Sequence, residues 1–464
     1  MVCGNVDRPN VTGLDVRPRR WHRGRNPVNL SHLYLRNARP FLVAVSALAA
    51  VIALACTGDT SRSPAATGLV QSDAPRLAVE PADLEDAGAA VEAFGLDLYR
   101  YLAAEEGNIV FSPYSAAVAL AMTRAGATGE TERQMSDVLH ADLVADLDAA
   151  VNALDQALAA RPGRYPVGDQ HVELELSTAN QIWAQEGFAL EQAFLDRLAT
   201  HYGAGVRTVD FETAVAAARE TINAWVAEQT RDRIPELIPD GVLNELTRLV
   251  LTSAIYLNAP WQYPFPEGAT STAPFHRLDG STVDVPMMGA NESFRYARGD
   301  GHQAIELPYV GGALAMVLLV PDEGAFVEFE GGLDRDRLGA ILDSLRSGRV
   351  TLGLPRFEFR TQVRLKEALS AIGMPVPFTD DADFTGISRE VGEDLVIQEV
   401  VHEAFISVDE DGTEAAAATA VIVGETSVPM DPVTLTVDRP FIFLVRDVET
   451  GALLFMGRVV DPAG

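Results

Sequence analysis

At 464 residues with 47% hydrophobic content the chain can bury a large core, and its formal net charge of −30 removes nucleic acid as a partner, because phosphate binding needs a clustered basic face. A single lysine, Lys366, argues against Schiff-base chemistry, a P-loop and a Ser-x-x-Lys hydrolase. There is no Gly-x-Ser-x-Gly or His-Glu-x-x-His, and the eight histidines show no metal spacing, so neither an enzyme nor a metal or other cofactor is expected.

Residues 41–55 (FLVAVSALAAVIALA) form an uncharged apolar run behind Arg36 and Arg39, the layout of a secretory signal and short for a membrane span of about 20 residues. The run ends at Cys56. Ala53-Leu54-Ala55-Cys56 is similar to the bacterial lipobox, with Ala53 where Leu is usual, which makes Cys56 a candidate lipidated first residue. A plainly cleaved signal or an uncleaved anchor is the alternative. Residues 1–40, long and Arg-rich, read as a start assigned too far upstream. The expected location is exported, either as a cell-envelope lipoprotein or extracellular. Removing residues 1–55 takes away eight arginines and two aspartates and leaves a net charge of −36. Cys3 and Cys56 are the only cysteines, so no disulfide is available to the exported part. Residues 56–85 are rich in Ser, Thr, Pro, Ala and Gly without a hydrophobic period, and read as a flexible tether.

Residues 86–464 read as one domain. Ala89 to Ala103 has apolar residues at helical spacing. Ser115 to Ala125 is a small-residue helix whose start is signalled by Ser112-Pro113. Leu190 to Tyr202 and Ala214 to Gln229 are amphipathic helices, and Leu249 to Leu257 is an apolar strand-like run. Further strands are expected at Ala304 to Leu307, Leu314 to Val320, Arg349 to Phe359, Val396 to Val408, Val433 to Val437, Phe441 to Val445 and Leu453 to Val459. Helices first and strands later predict an α+β fold.

The stretch EDGTEAAAATAVIVGETS, Glu410 to Ser427, follows directly on a strand. A run of alanines favours helix in isolation, and a short surface helix or an Ala-rich linker is the bland reading. Parity points elsewhere. In an extended chain Thr413, Ala415, Ala417, Thr419, Val421 and Val423 share one uncharged face, and the other face carries a charge only at Glu414. Such a segment is tolerated inside a sheet.

In that order Glu410, Gly412, Thr413, Glu414, the alanines 415–418 (Ala415, Ala416, Ala417, Ala418) and Thr419 resemble the hinge of an inhibitory serpin. Leu435-Thr-Val-Asp-Arg-Pro-Phe-Ile-Phe-Leu-Val445 and Leu454-Phe-Met-Gly-Arg458 look like that family's closing strands. Asn108-Ile-Val-Phe-Ser-Pro-Tyr-Ser115, Gly126 to Thr131, Ala179-Asn180 with Trp183, Ile222 to Trp225, Ile255-Tyr256 with Trp261, Val285 to Met288 and Ala382 to Gly386 match further blocks.

The resemblance, over about residues 86–464, implies the serpin fold: helices packed on a large mixed main sheet, smaller sheets, and an exposed reactive-centre loop. It implies a monomeric suicide-substrate inhibitor of serine, or cysteine, endopeptidases that acts by loop cleavage and insertion. Trp261, Arg356 and Glu410 resemble the breach where the loop enters, although Trp261 also reads as an ordinary core aromatic. Ser112, Ser115, Ser253 and His402 resemble the shutter beneath the sheet. The family often has Asn where this chain has Ser253, and the shorter side chain is expected to weaken that network. A forward count from Glu410 sets the reactive bond at Thr426-Ser427, and a backward count from Arg439-Pro440 gives Met430 as a second site. Thr426 favours an elastase-like or subtilisin-like protease as partner. The competing reading is a non-inhibitory serpin, a surface binding protein or simple substrate. Such members carry bulky, charged or proline hinge residues, and none lies between Ala415 and Val423.

Overall fold

The computed structural model describes residues 68–79, 84–167, 170–389, 395–414 and 433–464. The signal region, Cys56, the hinge residues from Ala415 to Thr419, and the bonds at Thr426-Ser427 and Met430 lie outside the described residues. Among the described residues no helix is long and apolar enough to cross a membrane.

The helices are α1 (Leu84–Leu102), α2 (Pro113–Arg124), α3 (Gly129–Val138), α4 (Leu147–Ala159), α5 (Gln192–Arg197), α6 (Val215–Gln229), α7 (Phe326–Gly331), α8 (Arg335–Ser344) and α9 (Leu365–Ala371). The strands of the first half are β1 (Gly68–Val70), β2 (Ile109–Phe111), β3 (Gly163–Val167), β4 (Gln170–Thr178), β5 (Gln181–Gln185), β6 (Val206–Val209), β7 (Leu249–Pro260), β8 (Ser271–His276) and β9 (Thr282–Gly299). They are followed by β10 (His302–Pro308), β11 (Leu314–Pro321), β12 (Arg346–Pro355), β13 (Phe357–Arg364), β14 (Glu399–Val408), β15 (Gly412–Thr413), β16 (Val433–Thr436), β17 (Phe441–Asp447) and β18 (Leu453–Val459).

One mixed sheet runs β1-β6-β5-β7-β15-β14-β13, with β4 also on β7. The other runs β16-β12-β9-β10-β11-β17-β18-β2, and the 18-residue β9 joins into one sheet what could have been two smaller ones. α2 starts where Ser112, in extended conformation, accepts from the Ser115 N–H and Pro113 takes the first helical position. Its residues from Pro113 to Thr123 are all buried, as a helix apolar on every side should be. Alanines at 116, 117, 119 and 121 keep it slim enough to pass beneath the main sheet against β7 and β5. On the opposite face Ala218, Ile222 and Val226 of α6, with Ile234, Leu237 and Ile238 of the segment that follows it, share one buried cluster with Trp183 of β5, Val250 and Ala254 of β7, and Val401 of β14. α6 and the segment after it therefore together cover the line where β7 meets β14.

Two expectations need correction. Arg349 to Phe359 is not one strand: β12 and β13 belong to different sheets, β12 ends at Pro355, and the chain crosses between them at Arg356. Residues 68–79 are not tether. β1 adds antiparallel to the otherwise free edge of β6, with Gly68 opposite Thr208. The Ser72 hydroxyl then donates to Asp196 at 2.5 Å, and the Leu77 N–H to the Thr200 carbonyl at 2.8 Å. Arg76 donates to Asn152 at 2.8 Å and ion-pairs with Asp155 of α4 at 2.6 Å. An open strand edge offers unpaired backbone groups to any extended segment, so a chain without hydrophobic period can still be ordered there.

Candidate functional site

The site is the seam between β7 and β14. These strands are parallel neighbours from Val250–Glu399 to Ile255–Ala404, and both are buried almost throughout. Above Ala404 they part. The chain leaves β14 at Val408 and turns on the Asp409 carboxylate, which accepts the N–H groups of Asp411 at 2.9 Å and Gly412 at 3.2 Å. It then re-enters the sheet as β15, antiparallel to both neighbours: Thr413 pairs with Val408 on one side and Ala259 on the other. The first two hinge residues thus already occupy the gap.

Each side chain at this upper end has a reason. A Cβ on Gly412 would lie 2.3 Å from the Ala259 carbonyl oxygen, so only glycine fits. Thr413 is 2% exposed, and its hydroxyl lies 2.5 Å from the hydroxyl of Tyr309. The Tyr309 ring stacks on Trp261 with centroids 4.6 Å apart and planes 6° from parallel. Trp261 is a core aromatic and more, since its indole N–H donates to the Asp409 carbonyl at 3.0 Å and its backbone N–H to the Asp411 carbonyl at 2.8 Å. The Glu410 carboxylate meets Arg356 at 2.5 Å and accepts from the Thr270 hydroxyl. Burial works to raise that carboxyl, but the hydrogen bonds from Arg356 and Thr270 outweigh it and hold it below the usual carboxylate range. Trp261, Arg356 and Glu410, predicted to act together, are brought together.

The strand stops at Glu414. Its φ is +55, a left-handed backbone rare for a glutamate, so β15 does not run on through it. The Glu414 N–H donates to the Ser407 carbonyl at 2.9 Å, and its carboxylate pairs with Arg233 from the turn after α6. Burial pushes the Glu414 carboxyl up against the pull of Arg233.

Lower on the seam, Ser112, Ser115, Ser253 and His402 are all 0% exposed and form one network. The Ser112 N–H can only donate, and it lies 2.9 Å from His402 Nε2, so Nε2 accepts and the ring proton sits on Nδ1. Nδ1 donates to Ser253 Oγ at 3.0 Å, Ser253 meets Ser115 at 2.9 Å, and Ser115 donates to Asn180 Oδ1 at 2.5 Å. Ser253 therefore spans both partners despite its short side chain. Burial lowers the His402 pKa to about 4. A Ser–His pair resembles the start of a hydrolytic relay, yet here the ring donates to Ser253 rather than accepting its proton, and Nε2 is taken by the Ser112 N–H. The network joins α2 to both strands of the seam by hydrogen bonds.

Sequence reasoning missed Tyr309, Thr270 and Arg233. Only Arg233 carried a signal, as a cation in the charged run Arg231-Asp232-Arg233 that closes a helix. Among the described residues no cluster of His, Cys, Asp and Glu could hold a metal.

A family model described as Serpin (serine protease inhibitor) matches residues 89–462. An uncharacterized serpin-like protein of Thermococcus kodakarensis is 40% identical over 376 residues, 80% of this chain and 85% of that protein. The leukocyte elastase inhibitor of Sus scrofa is 36% identical over 390 residues, 82% of this chain and all of the inhibitor. The crystal structure of tengpin, a thermophilic serpin in its native state, superimposes with a TM-score of 0.74 at 26% identity, over 84% of this chain and 97% of tengpin.

Proposed function

Since this chain belongs to the serpin family, we propose that it is an inhibitor of serine endopeptidases, working as a suicide substrate whose cleaved loop enters the main sheet between β7 and β14. The observation that carries this reading is β15. Gly412 and Thr413 already sit in the gap as a strand, and the residues that follow in sequence are small or β-branched without charge from Ala415 to Val423. In the proposed cycle the protease nucleophile attacks the carbonyl before the reactive bond and forms an acyl-enzyme, and cleavage frees the loop. The segment beyond Thr413 then adds to the sheet, strand by neighbouring strand, before the acyl group is hydrolysed. The inhibitor supplies no catalytic group. Its active form is held kinetically, so the barrier to insertion governs its lifetime.

The reactive bond is assigned to Thr426-Ser427, with Met430 as the second site. The small β-branched Thr426 favours elastase-like or subtilisin-like proteases over trypsin-like ones. We further assign Cys56 as a lipidation site and the exported cell envelope or medium as the location, both on the layout of residues 36–56.

The test is incubation of the chain with elastase-like, subtilisin-like, chymotrypsin-like and trypsin-like proteases, followed by denaturing electrophoresis and mass measurement of the released peptide. A denaturant-resistant complex is expected, with a 38-residue peptide starting at Ser427; a 34-residue peptide starting at Asp431 would move the bond to Met430. Cleavage by every protease without a complex, and without a gain in heat resistance, would put the non-inhibitory reading in its place.

A further inference from the structure

The hinge is stopped after two residues by something other than its own composition, because Ala415 and the residues after it are as acceptable to a sheet as Thr413 is. The stop lies at Glu414, and three features converge there. Its backbone is left-handed at φ +55, whereas continuing β15 requires an extended residue. Its side chain is paired with Arg233. Arg233 itself is presented by a turn in which two further non-glycine residues, Arg231 at φ +53 and Asp232 at φ +60, are left-handed. Such conformers are strained and persist only where surrounding contacts over-determine them.

The contacts that do so here are specific. The Asp232 N–H donates to the Ala227 carbonyl of α6 at 2.8 Å, and the Arg233 N–H to the Thr230 carbonyl at 2.9 Å, so the turn is tied to the end of the helix. Arg231 ion-pairs with Glu175 of β4 at 3.0 Å, while Arg233 lies over the Phe405 ring at 5.7 Å and reaches Glu414. The turn therefore has one arginine on the sheet half that carries β4 and β7 and another on the hinge. α6, whose end it is, and the segment 234–238 after it share a buried cluster with Val250 and Ala254 of β7 and Val401 of β14. A segment inserting beyond Thr413 has to enter beside that cover, and it cannot start without turning Glu414 from left-handed to extended, which withdraws its carboxylate from Arg233.

We infer that Arg233 is a positioning residue that arrests the hinge at two inserted residues: its ion pair with the left-handed Glu414 latches the loop's entry point to the turn behind α6, and opening of that latch is a step in loop insertion. The inference rests on the proposed insertion mechanism, yet it is separable from inhibition because insertion can be followed without a protease.

The experiment uses the intact chain. Wild type, Arg233→Gln, Glu414→Gln, the double variant and Arg231→Gln are held at a series of temperatures below their melting points. Conversion to a form resisting heat and urea is followed by native electrophoresis in a urea gradient. Arg233 is half exposed, so circular dichroism is expected to find the variants folded. Each hinge-pair variant is expected to convert about threefold faster than wild type, the effect of about 0.7 kcal/mol on the barrier. The double variant should match the singles, because both act through one contact. Arg231→Gln should convert at the wild-type rate. The latch is overturned if Arg233→Gln is no faster than wild type, if nothing converts in any variant, if the double variant multiplies the single effects, or if Arg231→Gln is as fast. Faster conversion of Arg233→Gln with no protease complex from any variant would sink the inhibitor reading alone. Complexes with equal conversion rates would sink the latch alone.

Discussion

The two ends of one seam are held by different physics. At the upper end β7 and β14 are already separated by Gly412 and Thr413, and the groups that hold them there are charged and partly wet: Arg356 is 46% exposed where it meets Glu410, and Arg233 is 52% exposed where it meets Glu414. At the lower end the same strands pair directly, over a neutral network in which Ser112, Ser115, Ser253 and His402 are all fully buried. Partly exposed ion pairs are worth little each and exchange readily with water, whereas a buried hydrogen-bonded group that loses its partner costs about 1–3 kcal/mol. On the insertion proposed above, the seam would open from the hinge downward, with its firmer lock placed last.

The largest way to break that contrast is to make the upper end unable to accept the loop. Thr413→Arg places a guanidinium against Tyr309 and Trp261 at a position 2% exposed, where an unpaired charge cannot stay. The variant is expected to be cut by target proteases without forming a denaturant-resistant complex, and Ala417→Glu is expected to do the same from within the loop. If either variant traps protease as well as wild type, as judged by complex yield on denaturing gels, the insertion argument fails. Gly412→Ala acts at the same place by sterics: its Cβ meets the Ala259 carbonyl at 2.3 Å. It should cost about 1–3 kcal/mol of stability in a denaturant melt, or expel the hinge from the sheet. An unchanged melt together with protected amides at Gly412 and Thr413 would contradict the tight fit.

The lower end is sharpened by pH. His402 has a pKa of about 4 in the folded chain, below its ordinary value near 6.5, because burial penalises the charged ring. Above pH 6.5 folded and unfolded states both hold the neutral ring, and its network contributes in full. As pH falls from about 6.5 to 4 the unfolded state takes up the proton and the folded state does not, so stability is lost, by about 3 kcal/mol over the window, and the loss levels off below it. Raised carboxyls such as Glu403 and Glu414, lifted first of all by burial, work in the opposite direction over acidic pH. The clean measurement is thus the difference between wild type and His402→Gln. That difference in melting temperature should shrink as pH drops from 7 to 4, and a constant difference would show that the ring is not held neutral.

What was legible in the sequence follows from how local its cause is. The start of α2 is written in Ser112-Pro113, and which residues gather at each end of the seam was readable because the resemblance runs through long ordered blocks. β5 was not: Gln181 and Gln185 are polar residues buried at its two ends, so no alternation marks it. The change of sheet at Arg356 was hidden because β12 and β13 together look like one apolar-alternating run. Nor does any residue preference announce a left-handed Glu414, since glutamate avoids that region and only the contact with Arg233 and the backbone bond to Ser407 hold it there. Tertiary contacts placed these elements, and they leave no local pattern.

The smallest effect concerns the far edge of the same sheet, where order comes from partners rather than composition. Residues 68–79 bury little apolar surface: Leu69 and Leu77 are each 48% exposed. What fixes the segment is three backbone pairs on β6 and the Arg76 contacts to α4, whose Asp155 also accepts from the hydroxyl of Tyr114 at 2.6 Å, next to the shutter serine Ser115. Arg76 and Asp155 are each more than a quarter exposed, so water screens their pair. Arg76→Ala should lower stability by only about 0.5–1 kcal/mol, a shift read as a small fall in melting temperature, while amide exchange at residues 68–70 rises. A large fall would mean that Asp155 and Tyr114 depend on the arginine for their own placement, and that the edge and the shutter are mechanically one unit. No change in exchange would mean that the β6 edge alone retains the added strand.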